Sequence, residues 1–202
     1  MDREVILDSE DCSLKLYRNL LTEQELDECY SICEQYCTER YPITVFGKTT
    51  IQPRTNCAFV DLESYGNSVK YSTAEIQAYQ WHPTIYNISR ILSTNGFEPN
   101  MCLVNGYVTP NDCVGAHRDK DLLDRFKTVC TVSLGGTRRM VFRPYDNNGL
   151  EKFEILLNHG DVLYMRGRTN ELYTHEIPKM RKTEKFAFAP RYSLTFREMK
   201  NK

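Results

Sequence analysis

The chain has 202 residues, 41% of them hydrophobic and 26% charged, and a formal charge of −1. That length suits one compact unit with a sizeable core, and so even a balance excludes binding to any partner through bulk charge alone. No apolar run is long enough to span a membrane, so no membrane partner is expected, and an opening of Asp2-Arg3-Glu4 predicts no secretory signal.

Acidic residues dominate positions 1–40. Thr22-Glu23-Gln24-Glu25 has the form of a capping box, with Leu21 and Leu26 placed as a hydrophobic staple. It predicts a helix to about Thr38 with Leu26, Cys29, Tyr30, Cys33 and Tyr36/Cys37 facing inward. Cys29, Cys33 and Cys37 share one helix face; a zinc site would need a matching His or Cys-x-x-Cys partner, so they read as buried thiols. With eight cysteines and no secretory signal, the chain reads as reduced and intracellular. A second helix is predicted over Thr84–Thr94, its stripe Ile85, Ile88, Ile91 and Leu92, stopped by Gly96.

From about Met101 the pattern changes to short strands punctuated by Gly, Pro, Asn and Asp. They are expected at Met101–Tyr107, Thr128–Leu134, Arg138–Arg143, Glu151–Leu157, Asp161–Met165 and Tyr192–Arg197, which predicts an antiparallel sandwich. His82 before Pro83 and His159 before Gly160 stand in turns and read as structural. The tail from Lys179 is rich in Lys and Arg, so one basic face can attract a polyanion while the whole chain stays neutral.

His117-Arg118-Asp119 carries the chemistry. Two residues apart on an extended strand, His117 and Asp119 point to one face and reach one ion. His175, in Tyr173-Thr174-His175-Glu176-Ile177-Pro178, is the natural third donor. Two imidazoles and one carboxylate suit Fe(II) and leave positions open for a bidentate co-substrate and dioxygen.

The flanking residues, in order, are Asn105-Gly106-Tyr107, Val132-Ser133-Leu134-Gly135, Gly160-Asp161 and Pro190-Arg191-Tyr192-Ser193-Leu194-Thr195-Phe196-Arg197. With the His-x-Asp motif they resemble the AlkB family of Fe(II)/2-oxoglutarate-dependent dioxygenases. The run Val45-Phe46-Gly47-Lys48 resembles the finger of the vertebrate nuclear branch that repairs alkylated duplex DNA, whereas Lys120 makes the metal motif His-x-Asp-Lys-Asp, as in the bacterial enzyme. The resemblance implies an α+β, mainly β chain: a double-stranded β-helix (jelly roll) with N-terminal helices and a nucleotide-recognition lid. It implies a single domain over 1–202, with residues 1–100 as an N-terminal extension carrying the lid and 101–202 as the catalytic core. His117, Asp119 and His175 would hold Fe(II). Arg191 would take the distal carboxylate of 2-oxoglutarate, helped by the hydroxyl of Tyr107, with Arg197 and Asn105 toward the carboxylate beside the keto group. Ser193 stands where close relatives usually carry an Asn that touches the co-substrate. Six residues apart on one strand, Arg191 and Arg197 share a face, and Leu194 and Phe196 take the other.

Upstream, Val45-Phe46-Gly47-Lys48, Pro53-Arg54, Tyr65 and Lys70-Tyr71-Ser72 fall in the family's recognition lid. The resemblance makes Phe46 a wedge in the base stack and Arg54 a substrate contact. Tyr71, with Tyr65 as the alternative, would stack on the flipped base. Asp121 would act at the catalytic centre by accepting from the exocyclic amine of 1-methyladenine or 3-methylcytosine. Arg181 and Lys182, joined by Arg143, would meet the phosphate backbone. The implied activity is oxidative demethylation of these bases in DNA, duplex favoured over single-stranded DNA or RNA, releasing formaldehyde, succinate and CO2. An RNA or protein demethylase of the same family is the alternative, followed by a non-catalytic binder of modified nucleic acid. A monomer is expected, nuclear in a eukaryotic cell or else cytoplasmic.

Overall fold

Antiparallel pairing organises the chain. The computed structural model describes residues 2–9, 12–45, 47–93, 96–119, 128–146 and 149–199. In chain order the elements are β1 (Asp2–Asp8), β2 (Cys12–Arg18), α1 (Glu23–Tyr36), β3 (Pro42–Val45), β4 (Lys48–Ile51), β5 (Thr55–Val60), α2 (Leu62–Tyr65), β6 (Ser68–Tyr71), β7 (Ala74–Gln80) and α3 (Pro83–Leu92). There follow β8 (Met101–Tyr107), β9 (Val114–His117), β10 (Val129–Gly135), β11 (Arg138–Pro144), β12 (Phe153–Leu157), β13 (Val162–Gly167), α4 (Thr169–Leu172), β14 (Tyr173–Ile177) and β15 (Arg191–Arg197).

Among the described residues, a nine-stranded sheet runs β1-β2-β13-β10-β15-β8-β5-β7-β6 and a four-stranded sheet runs β12-β11-β14-β9. The β5–β7 pair is parallel, so the large sheet is mixed. β3 and β4 form a separate hairpin.

Period-two alternation gives the large sheet two different faces. Cys102, Val104, Cys130, Val132, Val162, Leu194 and Phe196 point to one side, where Leu26, Cys29, Ile32 and Cys33 of α1 and Ile85, Ile88 and Leu92 of α3 cover them. The three helix-face cysteines are therefore packing groups in this layer, all of them buried. On the other side Leu14, Leu16, Val129, Leu163 and Met165 meet Phe142, Ile155, Leu157 and Tyr173 of the small sheet. The same face carries Asn105, Arg191, Ser193 and Arg197, so the polar site opens beside an apolar seam.

α1 begins where its capping box requires. The Thr22 hydroxyl accepts from the Glu25 N–H at 3.3 Å, and the Glu25 carboxylate accepts from the Thr22 N–H at 2.8 Å. His82 caps α3, its Nδ1 accepting from the Thr84 N–H at 3.3 Å, and His159 accepts from the Gly135 N–H at 2.8 Å. Gly106 lies where β8 presses on both neighbours: a Cβ there would collide with Thr55 Oγ1 and come within 2.9 Å of the Tyr192 ring.

The N-terminal hundred residues are richer in strands than their sequence suggested. β1 and β2 extend one edge of the large sheet, and β5, β7 and β6 extend the other. The expected antiparallel strands all form within two residues of their bounds, and β9 and β14 join them. No helix among the described residues is long and apolar enough to cross a membrane.

Candidate active site

Two strands of the small sheet bring the histidines together. β9 and β14 pair antiparallel with His117 and His175 as direct partners, and the register shifts just beyond, between His175 and Ile177. Directly opposed residues project to the same face. Asp119 stands two residues past the end of β9, and the ligand atoms of His117, Asp119 and His175 all lie within 4.8 Å of one another. Each histidine turns Nε2 toward Asp119: His117 lies 3.7 Å from Oδ1 and His175 3.7 Å from Oδ2. His117 Nδ1 is 2.9 Å from the Gly115 carbonyl, which can only accept. Nδ1 therefore carries the proton and Nε2 presents its lone pair, the tautomer a metal needs.

The electrostatics favour ligand-ready protonation states. Burial pushes the Asp119 carboxyl up, but the Arg197 guanidinium, reinforced by His175 and His117, outweighs it and holds the group at about 2. Arg197 Nη2 donates to Asp119 Oδ1 at 3.1 Å. Burial lowers His175 to about 4, with His117 adding to the effect. At neutral pH the centre therefore holds a carboxylate and a neutral His175, as metal binding requires.

These residues share a cavity of about 630 Å³, its open mouth included, with Arg54, Tyr71, Asn105, Tyr107, Arg191 and Ser193. Of these lining residues, Arg191 is 1% exposed. Its Nε donates to Ser133 Oγ at 2.9 Å, while both terminal nitrogens lack a hydrogen-bond partner among the described residues. Burial lowers its pKa to about 10. A buried guanidinium with an unfilled fork fits a carboxylate, which the planar donor pair grips in a bidentate way. Tyr107 lies between Arg191 and the buried Arg138, at 5.3 Å and 5.2 Å from ring centroid to guanidinium carbon. The donor set fits Fe(II), and the Arg191 end fits the dianionic co-substrate.

Other expected residues fall into three groups. Tyr71 and Arg54 line the cavity. The Tyr71 hydroxyl is 3.5 Å from Asp119 Oδ1, its ring lies 5.3 Å from the Arg197 guanidinium, and Arg54 Nε donates to Asn105 Oδ1 at 2.9 Å. Tyr65 turns elsewhere, its hydroxyl accepting from Asn100 Nδ2 at 2.8 Å. Arg143 is also committed, donating to Glu176 Oε1 at 2.5 Å, while Arg181 and Lys182 are exposed between β14 and β15. Phe46 and Asp121 lie outside the described residues.

The sequence did not single out Ser133, Asn170 or Arg138. Ser133 orients Arg191. Arg138 Nη2 donates to the Asp112 and Pro178 carbonyls, both at 2.7 Å, tying the segment before β9 to the one after β14. Asn170 Oδ1 accepts from the Asp119 N–H at 2.9 Å, and its Nδ2 donates to the Asp119 carbonyl at 2.8 Å. Ser133 stood in the sequence only as part of the Val132–Gly135 run, with no role of its own, and Arg138 and Asn170 are ordinary polar residues with no local motif to mark them.

Residues 13–197 match the model of the 2OG-Fe(II) oxygenase superfamily. DNA oxidative demethylase ALKBH2 of Bos taurus is 30% identical over 195 residues, covering 91% of this chain and 68% of that protein. Alpha-ketoglutarate-dependent dioxygenase AlkB of Escherichia coli (strain K12) is 30% identical over 172 residues, covering 79% of this chain and 76% of that one. The solved structure of OsALKBH1 shares the fold, with a TM-score of 0.61 and 19% identity over 92% of this chain and 97% of that one. A superfamily match across nearly the whole length, relatives of this similarity and a His-x-Asp…His centre lead to one conclusion: the chain belongs to the AlkB family of Fe(II)- and 2-oxoglutarate-dependent dioxygenases.

Proposed function

We propose that this dioxygenase removes methyl groups from alkylated bases in DNA, acting on 1-methyladenine and 3-methylcytosine and favouring the duplex. One observation carries the reading: a single cavity is lined by three converging ligand residues and by a buried guanidinium whose terminal nitrogens have no partner among the described residues. The DNA substrate is supported by the relatives named DNA oxidative demethylase. In this reading His117, Asp119 and His175 hold Fe(II). Arg191 grips the distal carboxylate of 2-oxoglutarate with Tyr107 beside it, and Asn105, Ser193 and Arg197 line the rest of its bed. With dioxygen, the bound iron and co-substrate supply an oxidation that turns 2-oxoglutarate into succinate and CO2 and hydroxylates an N-methyl group, which leaves as formaldehyde.

The chain's own residues place the base. Tyr71 offers a ring at the cavity wall on which an extruded base stacks, and Arg54 lines the same cavity. Asp121 accepts from the exocyclic amine, and Phe46 fills the gap left in the stack. Arg181 and Lys182 contact phosphates without reading sequence. Arg143 joins them only by leaving Glu176. The two facing sheets are read as a double-stranded β-helix (jelly roll) under a lid that includes the β3–β4 hairpin. The whole chain is read as one domain working as a monomer, in the nucleus of a eukaryotic cell.

The test is formaldehyde release and methyl loss from matched single- and double-stranded oligonucleotides carrying either base, with Fe(II) and 2-oxoglutarate supplied or withheld. Cofactor-dependent repair of the duplex is expected, and Phe46→Ala should impair the duplex reaction far more than the single-strand one. Equal losses on both would make Phe46 a packing residue. Succinate formation with no repair of either DNA would redirect the reading to RNA or protein.

A further inference from the structure

We infer that Asn170 is the residue that positions Asp119 as a metal ligand, an inference that rests on the metal-site reading above. Asn170 sits in the short helix α4, 4% exposed, and touches Asp119 only through the backbone. Its amide accepts from the Asp119 N–H and donates to the Asp119 carbonyl, at 2.9 and 2.8 Å. Asp119 lies beyond the end of β9, where among the described residues no ladder partner takes up those two groups. A primary amide carries an uncharged acceptor and an uncharged donor on two atoms set side by side, so Asn170 does here what a neighbouring strand does elsewhere.

The consequence is geometric. Holding both backbone groups fixes the direction in which Asp119 extends its side chain, and Arg197 then sets the carboxylate from the other end. α4 runs straight into β14, so the residue that grips Asp119 stands five positions before His175. A second tie joins the same segments, Arg118 Nη1 donating to the Glu171 carbonyl at 3.3 Å. The carboxylate and the third ligand are therefore placed by one turn of chain and move as a unit. Asn170 itself meets neither ion nor co-substrate; it is a positioning residue.

Supporting groups of this kind typically contribute about ten- to hundredfold to metal affinity. The test titrates Mn(II) into the metal-free full chain, following the free ion by electron paramagnetic resonance and checking each variant by circular dichroism and thermal melting. His117→Ala should lose binding, and Asn170→Ala should bind Mn(II) about ten- to hundredfold more weakly while remaining folded. Asn170→Asp, which can still accept from the Asp119 N–H but turns a second acceptor toward its carbonyl in place of the donor, should also weaken binding; it decides the matter if Asn170→Ala does not fold. The spectrum of the bound Mn(II) should also change in both Asn170 variants, which a loss of stability alone would not produce. Wild-type affinity and spectrum in the Asn170 variants, with binding lost in His117→Ala, would overturn the inference and leave the metal-site reading standing. Undiminished binding in His117→Ala would remove both.

Discussion

His117 and His175 face each other across one antiparallel pair, their ring centroids 4.4 Å apart, so a single ladder places two of the three candidate metal ligands. Asp119 is tied in from another direction, through Arg197 on β15. Loss of one ligand should therefore have different structural costs from loss of another. His117→Ala should abolish turnover and leave the melting temperature of the metal-free chain almost unchanged. Asp119→Ala should abolish turnover and also destabilise the fold by about 3–5 kcal/mol, because it strips a buried guanidinium of its carboxylate. Turnover assays paired with denaturant unfolding separate the two, and retained activity in either variant would remove the iron-site assignment.

Arg191 is a buried cation whose terminal nitrogens have no hydrogen-bond partner among the described residues. Arg191→Met should raise the KM for 2-oxoglutarate at least about tenfold, since a hydrogen bond to a charged group contributes about 1.5–3 kcal/mol. The KM for nucleic acid should not move. The unliganded variant should melt no lower than the wild type, because an apolar side chain of similar volume replaces an uncompensated charge. A lower melting temperature with an unchanged KM would make Arg191 a structural residue.

Asp112 anchors the approach to β9. Its carboxylate accepts from Arg40 Nη2 at 3.0 and 2.9 Å, from the Val108 and Thr109 N–H groups at 2.8 and 3.1 Å, and from the Thr109 hydroxyl at 2.9 Å. Burial pushes this carboxyl up, but Arg40 and Thr109 more than offset it and hold it below its ordinary value of 3.8. A carboxylate lowered in the folded state stabilises above its unfolded pKa, and that stability is lost as pH falls through the folded one. Asp112→Asn should cost about 2 kcal/mol at pH 7. The deficit should hold from neutrality down to about pH 5 and shrink as pH falls below the ordinary carboxyl value. Melting the pair across that range checks the sign; a constant deficit down to the most acidic pH would rule out an ionic role.

Gly106 separates Asn105 from Tyr107, two residues of the cavity wall. Gly106→Ala should destabilise by about 1–3 kcal/mol, as overpacking of a closed interior does. It should also raise the KM for 2-oxoglutarate, because relief of the clash with Thr55 and Tyr192 must shift β8 itself. Thermal melts and co-substrate kinetics on the one variant test both halves.

Much of this was legible where local chemistry decides the outcome. β8 spans Met101–Tyr107 as its apolar run predicts, and the Thr22 capping box starts α1. β7 has a regular buried–exposed alternation through Ala74, Ile76 and Ala78, yet its strand was not anticipated beside the stronger helical signal of α3. β5 was harder: no strand was expected over Thr55–Val60, where burial between β7 and β8 makes a central strand. The sequence favours Tyr71 but leaves Tyr65 open as the alternative, and it takes Asn100, far along the chain, to hold Tyr65 elsewhere. The pairing of Arg143 with Glu176 is of the same kind, set by a register between β11 and β14 that no local pattern encodes.

The pairing of β2 with β13 sets a condition on how this protein is made. Cys12 through Tyr17 take as partners residues Gly167 back to Val162, about 150 positions later. At the usual pace of synthesis, that interval is roughly ten to thirty seconds on the ribosome. During that time β1 can fold back on β2, but the inner edge of the hairpin stays open, lined by Leu14 and Leu16, which the finished molecule buries completely or nearly so. A nascent chain in that state presents a strand seeking any partner. Premature termination before Gly167 would make the exposure permanent, so shortened products should be aggregation-prone and clients of chaperones, not smaller enzymes.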